Sequence, residues 1–544
     1  MRLVSVEQMK AIEKEADGSG LTYAQMMENA GHGLAEVIQD MLIDDSDQEV
    51  FALVGSGNNG GDALVALAHL AADGWRARAY LIKRQPDDLV QRLEKAGGEI
   101  IVAEEDEDYA SLSAFVQTAS VLVDGILGTG ARLPLKEDLA DVLAEVQSIL
   151  ESQEVRPIVV AVDCPSGMDC ETGEASPECI AADLTVTMAA IKQGMLKMPA
   201  YELIGSLEVV DIGLPDNLKS LQRKGPEVAE EEMVSALLPE RPVDSHKGTF
   251  GTALIAAGSV NYTGAAALAG KAAYRVGAGL VTLALPAPLH GVLAGQFPEA
   301  TWVLLPHQLG VIARDAAEVL EKNWDRATAL LLGPGLGTED TTRDFLSGLL
   351  GGKTGPKNSQ RQIGFVPSDA GKSQNRSKQF PGIVIDADGL RLLAKIKDWP
   401  GLLPAIAVLT PHPGEMSALT GLSVEDIQKD RQAVAARFAK EWGHVIVLKG
   451  AFTVVAAPDG RIVIIPVASP ALARAGTGDV LAGAIVGLRA QGLEPFDAAV
   501  AGAWIHAQAG LYAADDLGNT ASVLAGDVLD AITDVMTDLD STQL

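Results

Sequence analysis

The sequence predicts an α/β protein of two domains, and three observations carry that prediction. Two series of short apolar strands alternate with helical stretches, and several of those strands end in glycine-rich polar turns. The chain also has 544 residues, more than one domain of about 100–200 residues accommodates. Short apolar strands separated by helices read as a parallel sheet covered on both faces. With 47% hydrophobic and 21% charged residues, the composition is that of a globular protein with large cores.

In chain order, Ser5-Val6-Glu7-Gln8 is a capping-box pattern, and Met9, Ile12 and Ala16 then mark one helical face. Strands are predicted at 50–54, 77–82, 99–102, 120–123, 157–162, 184–188 and 207–210. This first series closes near Ile212-Gly213-Leu214-Pro215, and a polar stretch of alternating charge follows. The second series runs through 252–256, 280–285, 329–332, 383–385, 407–409 and 445–448. Its last members, 453–456 and 462–465, flank Pro458-Asp459-Gly460, a turn signal that predicts a hairpin. The expected organisation is therefore a domain over 1–218, a linker over 219–235 and a second domain over 236–544. Within the latter, 351–380 carries six Lys/Arg against a single Asp and few apolar residues, which predicts a mobile basic insertion.

Lys+Arg 42 against Asp+Glu 73 leaves a formal charge of −31, which disfavours a nucleic-acid partner because phosphate contacts need clustered Lys/Arg. Cys164, Cys170 and Cys179 are odd in number and widely spaced, against a disulfide framework and a four-cysteine zinc site. Buried thiols in a reducing compartment are expected instead. No apolar run reaches the roughly 18 residues of a membrane span, and the acidic start lacks a secretory core. A cytoplasmic protein with no membrane partner follows.

The turn after the first strand reads Gly55-Ser56-Gly57-Asn58-Asn59-Gly60-Gly61-Asp62. It contains a formal G-x-G-x-x-G, yet the second strand ends in Lys83-Arg84 where a dinucleotide site needs an acid for the ribose. Glycines at a helix start turn N–H groups toward an anion, while Asn and Asp oxygens suit a hard cation. Two further strand ends repeat the chemistry, Asp124-Gly125-Ile126-Leu127-Gly128-Thr129-Gly130 and Asp163-Cys164-Pro165-Ser166-Gly167. Strand carboxyl ends are where open α/β sheets bind ligands, so the three loops are expected to share one crevice.

With Met26-Met27-Glu28-Asn29-Ala30-Gly31, these motifs resemble the NAD(P)HX epimerase family over about residues 1–215. The resemblance implies a Rossmann-like three-layer αβα domain. It implies that Asn58, Asn59, Gly60, Gly61 and Asp62, then Gly128, Thr129, Gly130, Ala131, Arg132, Leu133 and Pro134, and Asp163 hold the hydrated dinucleotide. It also implies that Asn59, Asp124 and Ser166 surround K+, and that Asp163 is catalytic. Where the family pattern has glycine after the first aspartate, this chain has Ala63, which adds a methyl group near the ligand loop.

In the second series, Ala475-Gly476-Thr477-Gly478-Asp479 opens a helix. Its glycines offer N–H groups and positive dipole to a phosphate, and Asp479 is placed to take a proton from a hydroxyl attacking that phosphate. Lys449-Gly450 at a strand end suits a nucleotide phosphate; His412 beside Pro413 reads either as a structural histidine or as a contact. With His246-Lys247-Gly248, Tyr262–Ala266, Gly333–Gly337 and His412–Glu415, the region resembles the ribokinase-like fold, most closely its ADP-dependent NAD(P)HX dehydratases, over about 240–535. That likeness implies Ala253, Gly335, His412 and Asp479 as substrate contacts, Asp479 being catalytic. It implies Lys449, Gly450, Ala451, Phe452, Thr453 and Gly478 as ADP contacts, with Mg2+ as cofactor. Lys247 is expected to help Lys449 hold the anionic substrates in an acidic protein.

Together the two likenesses imply repair of hydrated NAD(P)H, with NAD(P)HX and ADP as partners and a homo-oligomer such as a tetramer as the assembly. The rival reading is a ribokinase-type small-molecule kinase with a regulatory N-terminal domain; a third makes the first domain a non-catalytic nucleotide-binding module.

Overall fold

The computed structural model describes residues 1–42, 48–222, 225–351, 380–403 and 405–541. Apart from Gly351 and Phe380 at its ends, the basic insertion expected at 351–380 lies outside the described residues. The chain divides into two compact units, Met1–Glu227 and Val228–Leu544. The division falls inside the stretch expected as a linker, 219–235. Lys219 and Ser220 donate to the Glu15 carboxylate within the first unit. Val228, Ala229 and Val234 are buried in the second, because their apolar side chains find its core.

The main sheet of the first unit has the strands β1 (Glu49–Val54), β2 (Arg76–Leu81), β3 (Glu99–Val102), β4 (Val121–Gly125), β5 (Ile158–Val162), β6 (Leu184–Met188) and β7 (Ser206–Val210), and the short segments Leu3–Val4 and Ile191–Lys192 pair apart from it. All pairings are parallel, in the order β3-β2-β1-β4-β5-β6-β7. Side chains alternate between faces. Val50, Ala52 and Val54 of β1 enter a core with Leu34, Ile38, Leu64 and Leu67, while Phe51 and Leu53 enter another with Val142, Leu143 and Val146. That is three layers with a strand-order reversal between β1 and β4, the switch point where the carboxyl-end loops diverge and leave a crevice. Three helices lie on the first of those faces or beside it: α1 (Val6–Ser19), α2 (Tyr23–Met41) and α3 (Asn58–Ala72). Helix α1 starts with the predicted capping box, Ser5 Oγ accepting from Gln8 N at 3.1 Å and Gln8 Oε1 from Ser5 N at 2.8 Å.

The second unit is built on a ten-stranded sheet. Its strands are β8 (Glu227–Val228), β9 (Thr252–Ala256), β10 (Leu280–Pro286), β11 (Thr301–Leu305), β12 (Ala329–Leu332), β13 (Gly382–Ile385), β14 (Val408–Leu409), β15 (Val445–Leu448), β16 (Val454–Ala456) and β17 (Ile462–Ile464). The order is β8-β17-β16-β15-β14-β13-β12-β9-β10-β11, parallel from β15 to β11 and antiparallel for the hairpin β16–β17. Edge strand β11 escaped the sequence reading. The helices that matter for the site are α4 (Thr263–Arg275), α5 (Pro413–Thr420), α6 (Thr477–Ala490) and α7 (Pro495–Asp516). Helices α4 and α6 approach closely enough that a Cβ on Gly483 would lie 2.2 Å from Ala269 O, so glycine is obligatory there.

Candidate functional sites

In the first unit, the carboxyl ends of β1, β4, β5 and β6 and the helices α1 and α2 enclose a cavity of about 770 Å³. Asn58, Asn59 and Asp62 from the first loop, Gly128, Thr129 and Gly130 from the second, and Asp163 from the third all line it. The other expected ligand residues take different places. Gly60 and Gly61 are buried packing positions; a Cβ on Gly60 would sit 2.0 Å from Gly55 O. Ala131, Arg132, Leu133 and Pro134 continue the second loop beyond the lining, with Arg132 and Pro134 exposed. Helix α3 begins with Gly57 as its N-cap and no side-chain cap, so its first N–H groups remain open at the cavity edge. Arg84, out of place for a dinucleotide fingerprint, donates to Gly55 O at 3.0 Å and Gly57 O at 3.1 Å and clamps the glycine loop. Ala63 is fully buried, and its methyl group covers Gly125 rather than lining the cavity.

Asp163 adopts a left-handed conformation (φ 62°), which an aspartate sustains only where its surroundings over-determine it. Its Oδ1 accepts from Thr187 Oγ1 and Met188 N, both at 3.2 Å, and from the ammonium of Lys192. Lys192 is 1% exposed, and its Nζ also donates to Thr187 Oγ1 at 2.8 Å and Met188 O at 3.0 Å. The sequence reading overlooked Lys192. Its one signal was a lysine inside an otherwise apolar strand end, Ile191-Lys192.

Beside the cavity, Asp124 is buried, and burial pushes its carboxyl above the ordinary range. It accepts from Ser166 N at 2.7 Å and from the Ser166 hydroxyl. The Ser166 Oγ accepts from Leu127 N at 2.9 Å, and Asn59 Nδ2 donates to Leu127 O at 3.1 Å. Asn59, Asp124 and Ser166 thus gather around the Leu127 carbonyl, a set of hard oxygen donors whose buried charge a cation would compensate.

In the second unit, loops at the carboxyl ends of β9, β12, β13, β14 and β15 converge. Gly258 N donates to Pro334 O at 2.8 Å, and Gly337 N to Asp388 Oδ2 at 2.9 Å. Gly335 (φ 62°) presses against α4, where a Cβ would lie 2.7 Å from that of Tyr262. Asp386, 1% exposed at the end of β13, accepts on Oδ1 from Lys449 Nζ at 2.6 Å and Thr410 Oγ1 at 2.7 Å, while its Oδ2 is buried without a partner. Lys449 Nζ also lies 3.8 Å from Glu415 Oε2 and 3.7 Å from where a Gly478 Cβ would be. Helix α6 starts at Gly476 (φ 94°) with no side-chain cap. Asp479, in its first turn, is pushed up to about 7 by burial and by the Asp386 charge, against the opposing pull of Lys449. Gly450 and Thr453 are cross-tied by 3.3 and 2.9 Å hydrogen bonds, and Arg431 holds the carbonyls of Leu448 and Ala451. Phe452 turns that loop through a left-handed backbone (φ 54°).

Three further expected residues are placed as follows. Ala253 is fully buried as the second residue of β9, three positions or about 10 Å from the strand's carboxyl end. Lys247 precedes the amino end of the same strand, whereas Lys449 sits at the carboxyl ends; the two do not share a site. His412 is the N-cap of α5: its Nδ1 accepts from Gly414 N at 3.0 Å and Glu415 N at 3.3 Å, and its Nε2 faces Glu415 Oε1 at 3.2 Å. Asp386 was missed although it carries the same strand-end carboxylate signal as Asp124 and Asp163.

Residues 23–194 match the family model described as YjeF-related protein N-terminus, and residues 253–356 with 366–534 match that described as NAD(P)H-hydrate dehydratase. A bifunctional NAD(P)H-hydrate repair enzyme of Moorella thermoacetica is 35% identical over 99% of this chain and 97% of its own. Enzymes of the same name from Salinibacter ruber and Escherichia coli K12 are 37% and 32% identical, over 94% and 96% of this chain and 92% and 91% of theirs. A crystal structure of the Bacillus subtilis ADP/ATP-dependent NAD(P)H-hydrate dehydratase, co-crystallised with ATP/Mg2+, is 30% identical, with 58% of this chain and 99% of that one covered and a TM-score of 0.45. The chain belongs to the family of bifunctional NAD(P)H-hydrate repair enzymes, carrying an epimerase domain followed by a dehydratase domain.

Proposed function

We propose that the first unit interconverts the R and S epimers of NAD(P)HX at C6 through Asp163, and that the second dehydrates the S epimer at the expense of ADP through Asp479. The observation that carries the reading is Asp479: a half-buried carboxyl near neutrality in its proton affinity, in the first turn of an uncapped helix and beside Lys449. A base of that kind takes a proton from the C6 hydroxyl as it attacks the β-phosphate, whose charge meets the helix N–H groups and Lys449. The loop 449–453 and Gly478 hold the nucleotide, and AMP leaves as the β-phosphate passes to the C6 oxygen. The ring nitrogen then expels phosphate to give an iminium, and loss of a C5 proton restores the 5,6 double bond of NAD(P)H.

Two ions fit the donors present. The Asn59, Asp124 and Ser166 oxygens would hold K+, which supplies fixed positive charge near the dinucleotide. Asp386, with one buried oxygen unpartnered, would hold a Mg2+, which would supply neutralisation of phosphate charge. A cytoplasmic homo-oligomer built through the second unit belongs to the same reading. Leu511, Tyr512, Leu517 and Leu524, all exposed on that unit, support it, and sedimentation tests it. No helix among the described residues is long and apolar enough to cross a membrane.

The test is a mixture of R- and S-NADHX supplied with ADP. The intact chain should convert both epimers to a species absorbing as reduced nicotinamide, while Asp163→Asn should convert the S form and leave R to spontaneous epimerisation. A stable phosphorylated alcohol formed from ATP would instead establish the kinase reading.

A further inference from the structure

Five carboxyl and amine side chains line the first unit's cavity: Lys10 and Glu13 from α1, Asp62 from α3, Asp163 after β5 and Lys192 after β6. Their pairing is uneven. Lys192 directs its ammonium at Asp163 Oδ1, Thr187 Oγ1 and Met188 O, and Oδ1 also accepts from Thr187 Oγ1 and Met188 N. Asp163 Oδ2 is left as the open acceptor. Asp62 lines the same cavity, and its carboxyl has no hydrogen-bond or ion-pair partner among the described residues.

Taking the first unit as the epimerase, we infer that Asp62 is a second catalytic residue, the general acid that works opposite the base Asp163, and that Lys192 is the positioning residue that makes the two carboxyls unlike. Burial, together with the nearby charges of Asp163 and Glu13, pushes the Asp62 carboxyl well above the ordinary range, with Lys192 and Arg84 pulling the other way. Glu13 is itself raised by burial and by Asp163, and Lys10 opposes that shift from the same helix. An unpaired raised carboxyl across from an ion-paired one divides acid from base duty.

The chemistry closes without an outside reagent. Asp163 takes the proton of the C6 hydroxyl as the C6–N1 bond breaks. The bond's electron pair goes to N1, which takes a proton from Asp62, leaving an open-chain aldehyde. Rotation about C5–C6 presents the other carbonyl face. N1 returns its proton to Asp62 and re-forms the bond to C6, and the oxygen recovers its proton from Asp163. Both carboxyls end as they began, and only the configuration at C6 has changed.

The experiment follows R/S interconversion directly by chromatography, in the full-length chain and without ADP. Wild type should exceed the spontaneous rate and lose activity on the alkaline side as Asp62 gives up its proton. Asp62→Asn should lower the rate by about 100-fold or more and abolish the alkaline limb, with Asp62→Glu restoring part of both. A thermal unfolding transition of the first unit that matches wild type reports folding in the same samples. An Asp62→Asn rate within a few-fold of wild type, or a wild-type profile with no alkaline fall, overturns the assignment of Asp62 while leaving the epimerase in place. A wild-type rate equal to the spontaneous one removes the epimerase reading itself, and this proposal with it.

Discussion

The two sites solve the same electrostatic problem differently. Each places a lysine on a strand-end aspartate, Lys192 on Asp163 and Lys449 on Asp386, and each leaves another carboxyl unpaired and raised, Asp62 and Asp479. In the first unit the lysine is 1% exposed and spends its protons on protein acceptors. In the second it is 18% exposed, lies against Gly478 at the start of α6, and its partner Asp386 keeps one oxygen unsatisfied. A closed pair of the first kind fixes a proton-transfer geometry. An incomplete pair beside open N–H groups is set to receive phosphate charge and a counter-ion. The comparison teaches that a Lys–Asp pair does not by itself reveal its chemistry; the valences it leaves open do.

The largest expected effect tests the open site. Asp479→Asn should lower kcat for dehydration by about 10²–10⁴-fold. In wild type the rate should climb as pH passes about 7, because the base acts only when deprotonated and burial with Asp386 has raised it to that value. A steady-state pH profile monitored at the reduced-nicotinamide band decides both points. Next comes the closed pair. Lys192→Met leaves the Asp163 charge buried without its ammonium, and loss of one partner of such a pair costs about 3–5 kcal/mol; thermal unfolding should show a clearly lowered transition. Lys449→Met should act mainly on nucleotide affinity, raising KM for ADP more than it lowers kcat, which would separate the two lysines by readout.

Smaller effects sharpen the contrast. Ser166→Ala removes one oxygen from the set around Leu127 O, so acceleration of epimerisation by K+ over a bulky organic cation should weaken by about tenfold, equivalent to one lost contact of about 1.4 kcal/mol. The smallest change is expected for His412→Ala. As an N-cap, His412 contributes about 0.5–2 kcal/mol to α5, so stability should fall modestly while KM for the hydrated dinucleotide holds. A KM increase without a stability loss would return His412 to the substrate.

Much of this was legible beforehand, for a physical reason. Apolar β-branched runs such as 50–54 and 445–448 are buried on both faces, and a parallel strand of that kind has no polar alternation to confuse it with a surface segment. Gly-rich polar turns announce strand ends because few other residues tolerate their backbone. Edge strand β11 escaped because Thr301-Trp302-Val303-Leu304-Leu305 is only partly buried. The depth of Ala253 within its strand was not legible, because family likeness marks a position in the chain and says nothing of which end of the strand it occupies. Asp386 and Lys192 went unweighed because a single charged residue after an apolar run is usually a solvated strand end.

The sequence alone determined the class of fold, the succession of strands and helices, and which turns could meet an anion, since these depend on local pattern and backbone freedom. Only the tertiary structure decided how the carboxyls differ. Proton affinity depends on burial and on charges brought close by residues remote in the chain, as Asp386 is from Asp479. No spacing along the chain encodes those distances.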